Sequence, residues 1–314
     1  MDEPIRGRSR YVGVRNTNLR GIGMAVWLWD NWVLMALFAT AGWALSCVID
    51  VYFVGDGIYR EPSDGPLVMG LFCVIPLLAS LGSVDWQEPD WQTTIVAALA
   101  GLCYLLHVYF YFKALFLLND AANAEIFNTL SVLFIPVFAF LLLGEKLALV
   151  NYAAIGLAAA GILVLARLQV LRMHRRVLGN LFASVFFVAL AMVLQAWVLK
   201  NVSYGTAVGL FSLSAFAAVT IVLALRPRRR RHVAGLCQRF GVIFVAVQLL
   251  ELSAVFCSQR ATDVGPSVSL VALIECALPL FVMAFSWIVG NALRLHQNSG
   301  TVEVRTSLTL QTDA

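Results

Sequence analysis

The chain has 314 residues, 61% of them hydrophobic and 13% charged, with a formal net charge of +4. A soluble domain carries about 25% charged residues, so this chain lacks the polar side chains to cover a water-facing surface. Apolar runs of about 20 residues recur along it, each long enough to cross about 30 Å of hydrocarbon as a helix. That pattern predicts an all-α polytopic membrane protein. Barrel strands are excluded, because the runs lack period-two alternation and are too long.

Nine spans are expected, at 31–54, 66–83, 92–115, 122–144, 149–169, 177–199, 205–225, 240–259 and 267–290. The connections are short, so no separate soluble domain is expected. The first apolar run is too long for a cleaved signal peptide, and more spans follow it. Trp27, Trp29 and Trp32 before span one, with Trp86 and Trp91 before span three, have the character of interfacial anchors. Six cysteines are scattered without a CxxC pair, which favours packing over disulfides or a metal.

In chain order, the N-terminal tail carries Arg6, Arg8, Arg10, Arg15 and Arg20. Span one places Trp43, Ser46 and Asp50 on one helical face, and span two contains Pro76. The loop that follows is acidic, with Asp85, Glu88 and Asp90. Span three sets Tyr104, His107 and Tyr111 at i, i+3, i+7 spacing, a polar-aromatic stripe along one side. After an Asn119-Asp120 turn, Glu125 and Asn128 lead span four towards Pro136, which is expected to break the helix. A Gly144-Glu145-Lys146 hinge leads to span five, whose small residues let backbones approach closely.

A basic connection, Arg167 to Arg176, opens the second half. Span six has Asn180, Ser184 and Gln195 on one stripe, and an arginine run, Arg226 to Arg231, follows span seven. Span eight carries Gln248, Glu251 and Ser258 on one face. Span nine echoes span four: Ile135-Pro136-Val137-Phe138 answers Leu278-Pro279-Leu280-Phe281, and upstream Lys113-Ala114 answers Arg260-Ala261. A repeat of about five helices results. An odd number of spans per copy makes the two copies run in opposite directions, an arrangement that places substrate near mid-bilayer at the repeat interface.

Ala114-Leu115, the mid-helix Pro136, the Gly144-Glu145 hinge and the Gly156 to Gly161 helix fall in an order that resembles the repeat unit of the EamA-type transporters, in the drug/metabolite transporter superfamily. The resemblance implies ten spans as five plus five. Residues 31–169 then form a first EamA-like repeat and 177–290 a second one of four spans, between a basic tail at 1–30 and a polar tail at 291–314. The tenth helix and the second Gly-Glu hinge are missing from this pattern. The implied activity is secondary transport of a small organic metabolite, amino acid or drug, expected as export across a bacterial inner membrane. Implied partners are that small-molecule substrate, membrane lipid and a second copy in a homodimer. The competing reading is a non-transporting scaffold, or an inactive truncated remnant. A cytoplasmic N-terminus, which the resemblance implies, would leave most of the 22 Lys and Arg outside. The positive-inside rule prefers the reverse, so orientation stays open.

Ionisable groups deep in a span are expensive unless they face the bundle interior or water. That singles out Glu251, Glu275 and His107 as substrate-binding candidates, with Glu125, Asn128, Tyr104 and Tyr111 beside them. Glu275 precedes Pro279 by four residues, so its carbonyl loses a helical donor, and Pro136 frees the carbonyl of Val132 in the same way. A carboxylate in such a cavity is a candidate to carry a proton during transport. His107 reads more readily as a structural hydrogen bond or a partner of a carboxylate. Glu125 stands equally well as a first-turn acid favoured by the helix dipole. The Tyr104–Tyr111 stripe could stack on a cationic or aromatic solute, although packing is its commoner use. Asp50, Asn180 and Gln195, near span ends, are expected in water, and Glu145 in a capping role. The arginine run suits anionic lipid rather than nucleic acid. No HExxH, GxSxG, Gly-rich phosphate loop or metal-ligand spacing is present, so neither an enzyme nor a cofactor is expected.

Overall fold

In the computed structural model, residues 27–82, 86–118, 120–170 and 174–298 are described. The arginines of the N-terminal tail and the C-terminal residues 299–314 lie outside them. The first span is α1 (Trp32–Gly55), begun by Asn31, whose side-chain oxygen accepts the Leu34 N–H at 3.2 Å. The second is a broken pair, α2 (Asp64–Phe72) and α3 (Val74–Leu81), which meet at Cys73. Pro76 explains that break, since it cannot donate to the Phe72 carbonyl. The third, α4 (Trp91–Leu118), is unbroken. The fourth is again split, into α5 (Ala121–Asn128) and α6 (Ser131–Leu143).

Gly144 ends α6 in the left-handed region, at φ 63°, and the next N–H, of Glu145, returns to the Ala139 carbonyl at 3.1 Å. The expected hinge is therefore a glycine cap. Beyond it run α7 (Leu149–Val170), α8 (Arg175–Asn201), α9 (Tyr204–Leu225) and α10 (Pro227–Val264). The last span is split into α11 (Val268–Glu275) and α12 (Leu278–Asn298). No strand is present among the described residues, and 8 spans are long and apolar enough to cross a membrane. The protein is an all-α polytopic membrane protein.

Four details depart from the expectations. The fifth expected span, 149–169, is α7, but its apolar part, Leu149–Val164, is shorter than the others. At 1.5 Å per residue it reaches about 24 Å, short of the usual crossing. The eighth begins at Pro227 rather than near 240, because the arginine run is helical. Proline suits the first helical turn and arginine is a good helix former, so a run that hydropathy reads as loop becomes part of a 38-residue helix. The ninth continues to Asn298, past the expected boundary at 290.

The fourth departure concerns Pro136, which sits inside α6 while the break falls earlier, at Thr129–Leu130. The Thr129 hydroxyl donates to the carbonyls of Ile126 at 2.8 Å and Glu125 at 3.2 Å. It thus competes with the backbone ladder, as back-bonding threonines do. At the other split, Cys276–Ala277, Pro279 lies just downstream as expected and the Cys276 thiol donates to the Ala272 carbonyl at 3.3 Å.

Helix contacts follow a paired scheme. α4 lies along α8, and α1 lies along α10. α6 packs on α8, and α12 on α1. α9 covers α2 and α3, and α11 meets α6. Close approaches need glycine at a few of these contacts, notably Gly101 of α4 against Phe211 and Ser214 of α9.

Candidate functional site

Between these helices lies a cavity of about 160 Å³. The two helix breaks line it, through Thr129 and Ser131 on one side and Cys276 and Leu278 on the other. All seven candidate site residues reach its wall. Tyr104, His107 and Tyr111 come from α4, Glu125 and Asn128 from α5, Glu251 from α10 and Glu275 from the end of α11.

On the first side a polar chain crosses four helices, α1, α5, α8 and α4. Glu125, 2% exposed, accepts the Cys47 thiol at 3.1 Å and the Asn128 amide at 3.5 Å. Asn128 in turn accepts the Ser184 hydroxyl at 3.3 Å, and Ser184 meets His107. His107 thus has a structural partner, and that partner is a serine rather than a carboxylate. Its ring also lies 5.7 Å from Tyr104 and 6.3 Å from Tyr111, so the stripe is continuous. On the second side Ser258 donates to Glu275 at 2.7 Å, and Tyr104 reaches Glu251 at 3.5 Å. Tyr104 therefore joins the two sides.

Three residues expected in water or near span ends need revision or confirmation. Asp50 and Gln195 both line the cavity, and Gln195 is only 5% exposed. Asp50 shares its helical face with Trp43 and Ser46, and all three line the wall, so the facial pattern was the informative signal. Asn180 is half-buried and does not line the cavity. Gln248 and Ser258 do line it together with Glu251, as their common face requires. Glu145 stays away, accepting the Ser269 hydroxyl at 2.6 Å beside the start of α11.

Two lining residues, Tyr59 and Phe112, belong to a cluster of aromatic rings. Tyr59 packs edge-on against Phe53 and Phe112, with centroids 5.4 and 5.5 Å away, and stacks on Phe244 at 5.7 Å. Nearer the start of α10 than Phe244, Arg229 bonds to Glu61 and His232 lies 3.1 Å from the buried Asp64. Asp64 also accepts the N–H groups of Arg60 at 2.9 Å and Glu61 at 3.0 Å. Cations at a helix N-terminus oppose its dipole, and these two acids offset that. In the 56–63 loop, the Arg229 hydrogen bond holds the Glu61 carboxyl below the usual carboxylate range. Arg226, Arg228, Arg230 and Arg231 remain exposed. No group of His, Cys, Asp and Glu that could hold a metal is found among the described residues.

No protein-family model matches the chain. A solved crystal structure shares the fold, with a TM-score of 0.56 at 20% identity, covering 82% of this chain and 88% of that one. An "Uncharacterized transporter in cobO 3'region" of Sinorhizobium sp. is 32% identical over 142 residues, 44% of this chain and 97% of that protein. By that likeness, spread over nearly the whole of the relative and joined to a bundle of membrane-spanning helices around a polar cavity, the chain belongs to the same family of membrane transporters as the Sinorhizobium protein.

Proposed function

We propose that the chain is a secondary transporter of the drug/metabolite superfamily, EamA type. It moves a small organic solute outward across a bacterial inner membrane by alternating access. The observation that carries this reading is one cavity into which both halves of the chain send carboxylates: Asp50 and Glu125 from the first, Glu251 and Glu275 from the second. Charged groups are retained within a span where they serve a pathway or pair with one another. The transporter-named relative supports the transporter part of this reading.

The contact scheme supports two inverted repeats, of residues 31–169 and 177–290. Exchanging the first span with the sixth, the third with the eighth and the fourth with the ninth turns α1–α10 packing into α8–α4 packing. The same exchange turns α12 on α1 into α6 on α8. Transporters built this way bind substrate at the repeat interface and rock one bundle against the other. The broken helices α5–α6 and α11–α12 meet through α6 and α11 and line the cavity, so they are the natural moving parts. Coupling to protons would use Glu251 or Glu275.

Purified protein in liposomes tests this. A solute loaded inside should exchange with labelled solute outside, and Glu251→Gln or Glu275→Gln should impair the exchange. Folded protein that moves nothing across a broad solute panel would return the scaffold or inactive-remnant reading.

A further inference from the structure

The chemistry of the cavity wall is one-sided. Asp50, Glu125, Glu251 and Glu275 face it, and no Lys or Arg is among the lining residues. Asp50 lies near enough to Glu251 and Glu125 for their charges to act on one another. Glu125 and Glu275 each have a close donor from the protein, the Cys47 thiol and the Ser258 hydroxyl, whereas Glu251 has the longer 3.5 Å contact from Tyr104 and the amide of Gln248.

A second feature is independent of charge. Gln195, Gln248 and Gln259 line the cavity and are 5%, 4% and 6% exposed. Each carries a buried side-chain carbonyl oxygen without a donor. For Gln195 the amide orientation follows from the wall itself, because its nitrogen donates to the Ala207 carbonyl at 3.3 Å. Buried acceptors left unpaired are costly. Spread around the lining on α8 and α10, each is an acceptor that a ligand with N–H donors would satisfy. Trp43, Tyr104 and Phe211 add ring faces, which attract cations.

We propose that the cavity binds a small organic cation bearing a primary ammonium group, and discriminates against quaternary ammonium ions and anions. The inference rests on the cavity being the solute site of the proposed transporter. A primary ammonium places three N–H donors on one charged atom, and so can meet a carboxylate and one of the glutamine oxygens together. A quaternary ammonium carries the charge but no donor, and leaves the glutamine oxygens unpaired. An anion would meet four carboxylates and no cationic side chain. The volume of about 160 Å³ is close to that of a cavity that takes benzene, about 150 Å³. It suits a single ring or a short alkyl chain with an aminoalkyl arm.

The experiment uses the purified full chain, in detergent for thermal shift and in liposomes for counterflow. The probes are phenethylammonium, its N,N,N-trimethyl analogue and phenylacetate. Phenethylammonium should raise the melting temperature, and the other two should bind about tenfold more weakly or worse, the ratio expected for a lost hydrogen bond to a charged group. Gln248→Leu should narrow the gap between the amine and its trimethyl analogue. The native panel decides the matter if that variant does not fold. Binding of the amine without movement across the liposome supports this ligand class and counts against transport. Movement of phenylacetate, or equal binding of the trimethyl analogue, keeps transport and overturns the ligand class. Failure of the amine to bind folded protein overturns it as well.

Discussion

His107 on α4 turns one ring nitrogen, Nδ1, onto two atoms of Ser184 on α8, the carbonyl oxygen at 3.1 Å and the hydroxyl at 2.9 Å. A carbonyl only accepts, so Nδ1 carries the hydrogen. The Ser184 hydroxyl is then free to donate to Asn128, whose amide points to Glu125. The hydrogen bonds all run one way and end on a carboxylate. That direction assigns the tautomer of His107 by its network.

The first prediction follows from this asymmetry. Ser184→Ala leaves the carbonyl to hold His107 and should cost about 1 kcal/mol. His107→Leu buries the Ser184 hydroxyl without its ring partner and should cost more, about 1–3 kcal/mol. Thermal denaturation in detergent ranks the two. The reverse order would mean that the ring is held by packing alone.

Glu251 should matter for transport rather than for folding. Its protein partners are the long contact from Tyr104, 3.5 Å, and the Gln248 amide on the same helix, so Glu251→Gln, which keeps an acceptor oxygen, removes little that supports the bundle. Exchange of solute in liposomes should fall by about tenfold or more, the loss expected when a ligand forfeits a charged hydrogen-bond partner. Any pH dependence that Glu251 carries should vanish from the profile of the variant. A profile that keeps the native shape assigns proton handling to another group.

The ion cluster of Arg229, His232, Glu61 and Asp64 predicts two different magnitudes. Glu61 is half exposed, with 49% of its side chain accessible, so Glu61→Gln should cost only about 0.5 kcal/mol and less in high salt. Arg229 holds the Glu61 carboxyl below its ordinary range. Its contribution is therefore complete above the ordinary glutamate value of about 4.3. It is lost as pH falls through the lowered folded value. Native and variant stabilities should converge in that acid window.

Asp64 is the opposite case, fully buried at 0% exposure. Asp64→Ala strands the N–H groups of Arg60 and Glu61 and removes the acceptor of His232. A loss of about 2–4 kcal/mol is expected from breaking a buried, hydrogen-bonded charge. Chemical denaturation of the two acidic variants side by side checks the contrast.

Gly101 gives a prediction about helix contact. A Cβ there would stand 2.7 Å from the Phe211 carbonyl oxygen, a backbone atom held within α9. Gly101→Ala should push α4 from α9 at a cost of about 1–3 kcal/mol. Gly156→Ala meets nothing within 4 Å and should be neutral or slightly stabilising. Equal effects at the two glycines would contradict the close α4–α9 approach.

The cavity residues were legible because a charge inside an apolar run has few tolerable places to go. Glu251, Glu275 and Glu125 all reach the wall for that reason. Asp50 and Gln195 were misread because depth was judged from distance to a span end, whereas the cavity itself brings polar surface into the bundle. The break in the fourth span was sought at Pro136 because proline is the louder signal, and Thr129 was silent until its hydroxyl could be seen on two carbonyls. Charge hid the start of α10. Hydropathy stops at the arginines, but helix propensity does not.

That long helix has a mechanical consequence. α10 carries Arg229 and His232 at the ion cluster, Phe244 in the aromatic cluster and Glu251 in the cavity, on one uninterrupted rod. Arg229 and Glu251 stand about 33 Å apart along its axis. Pivoted at its inner end, such a lever displaces its outer end by about 3 Å for a tilt of about five degrees, enough to break a contact that needs 2.7–3.2 Å. A tilt of α10 at the cavity of that size would therefore also part the Arg229–Glu61 contact at its far end.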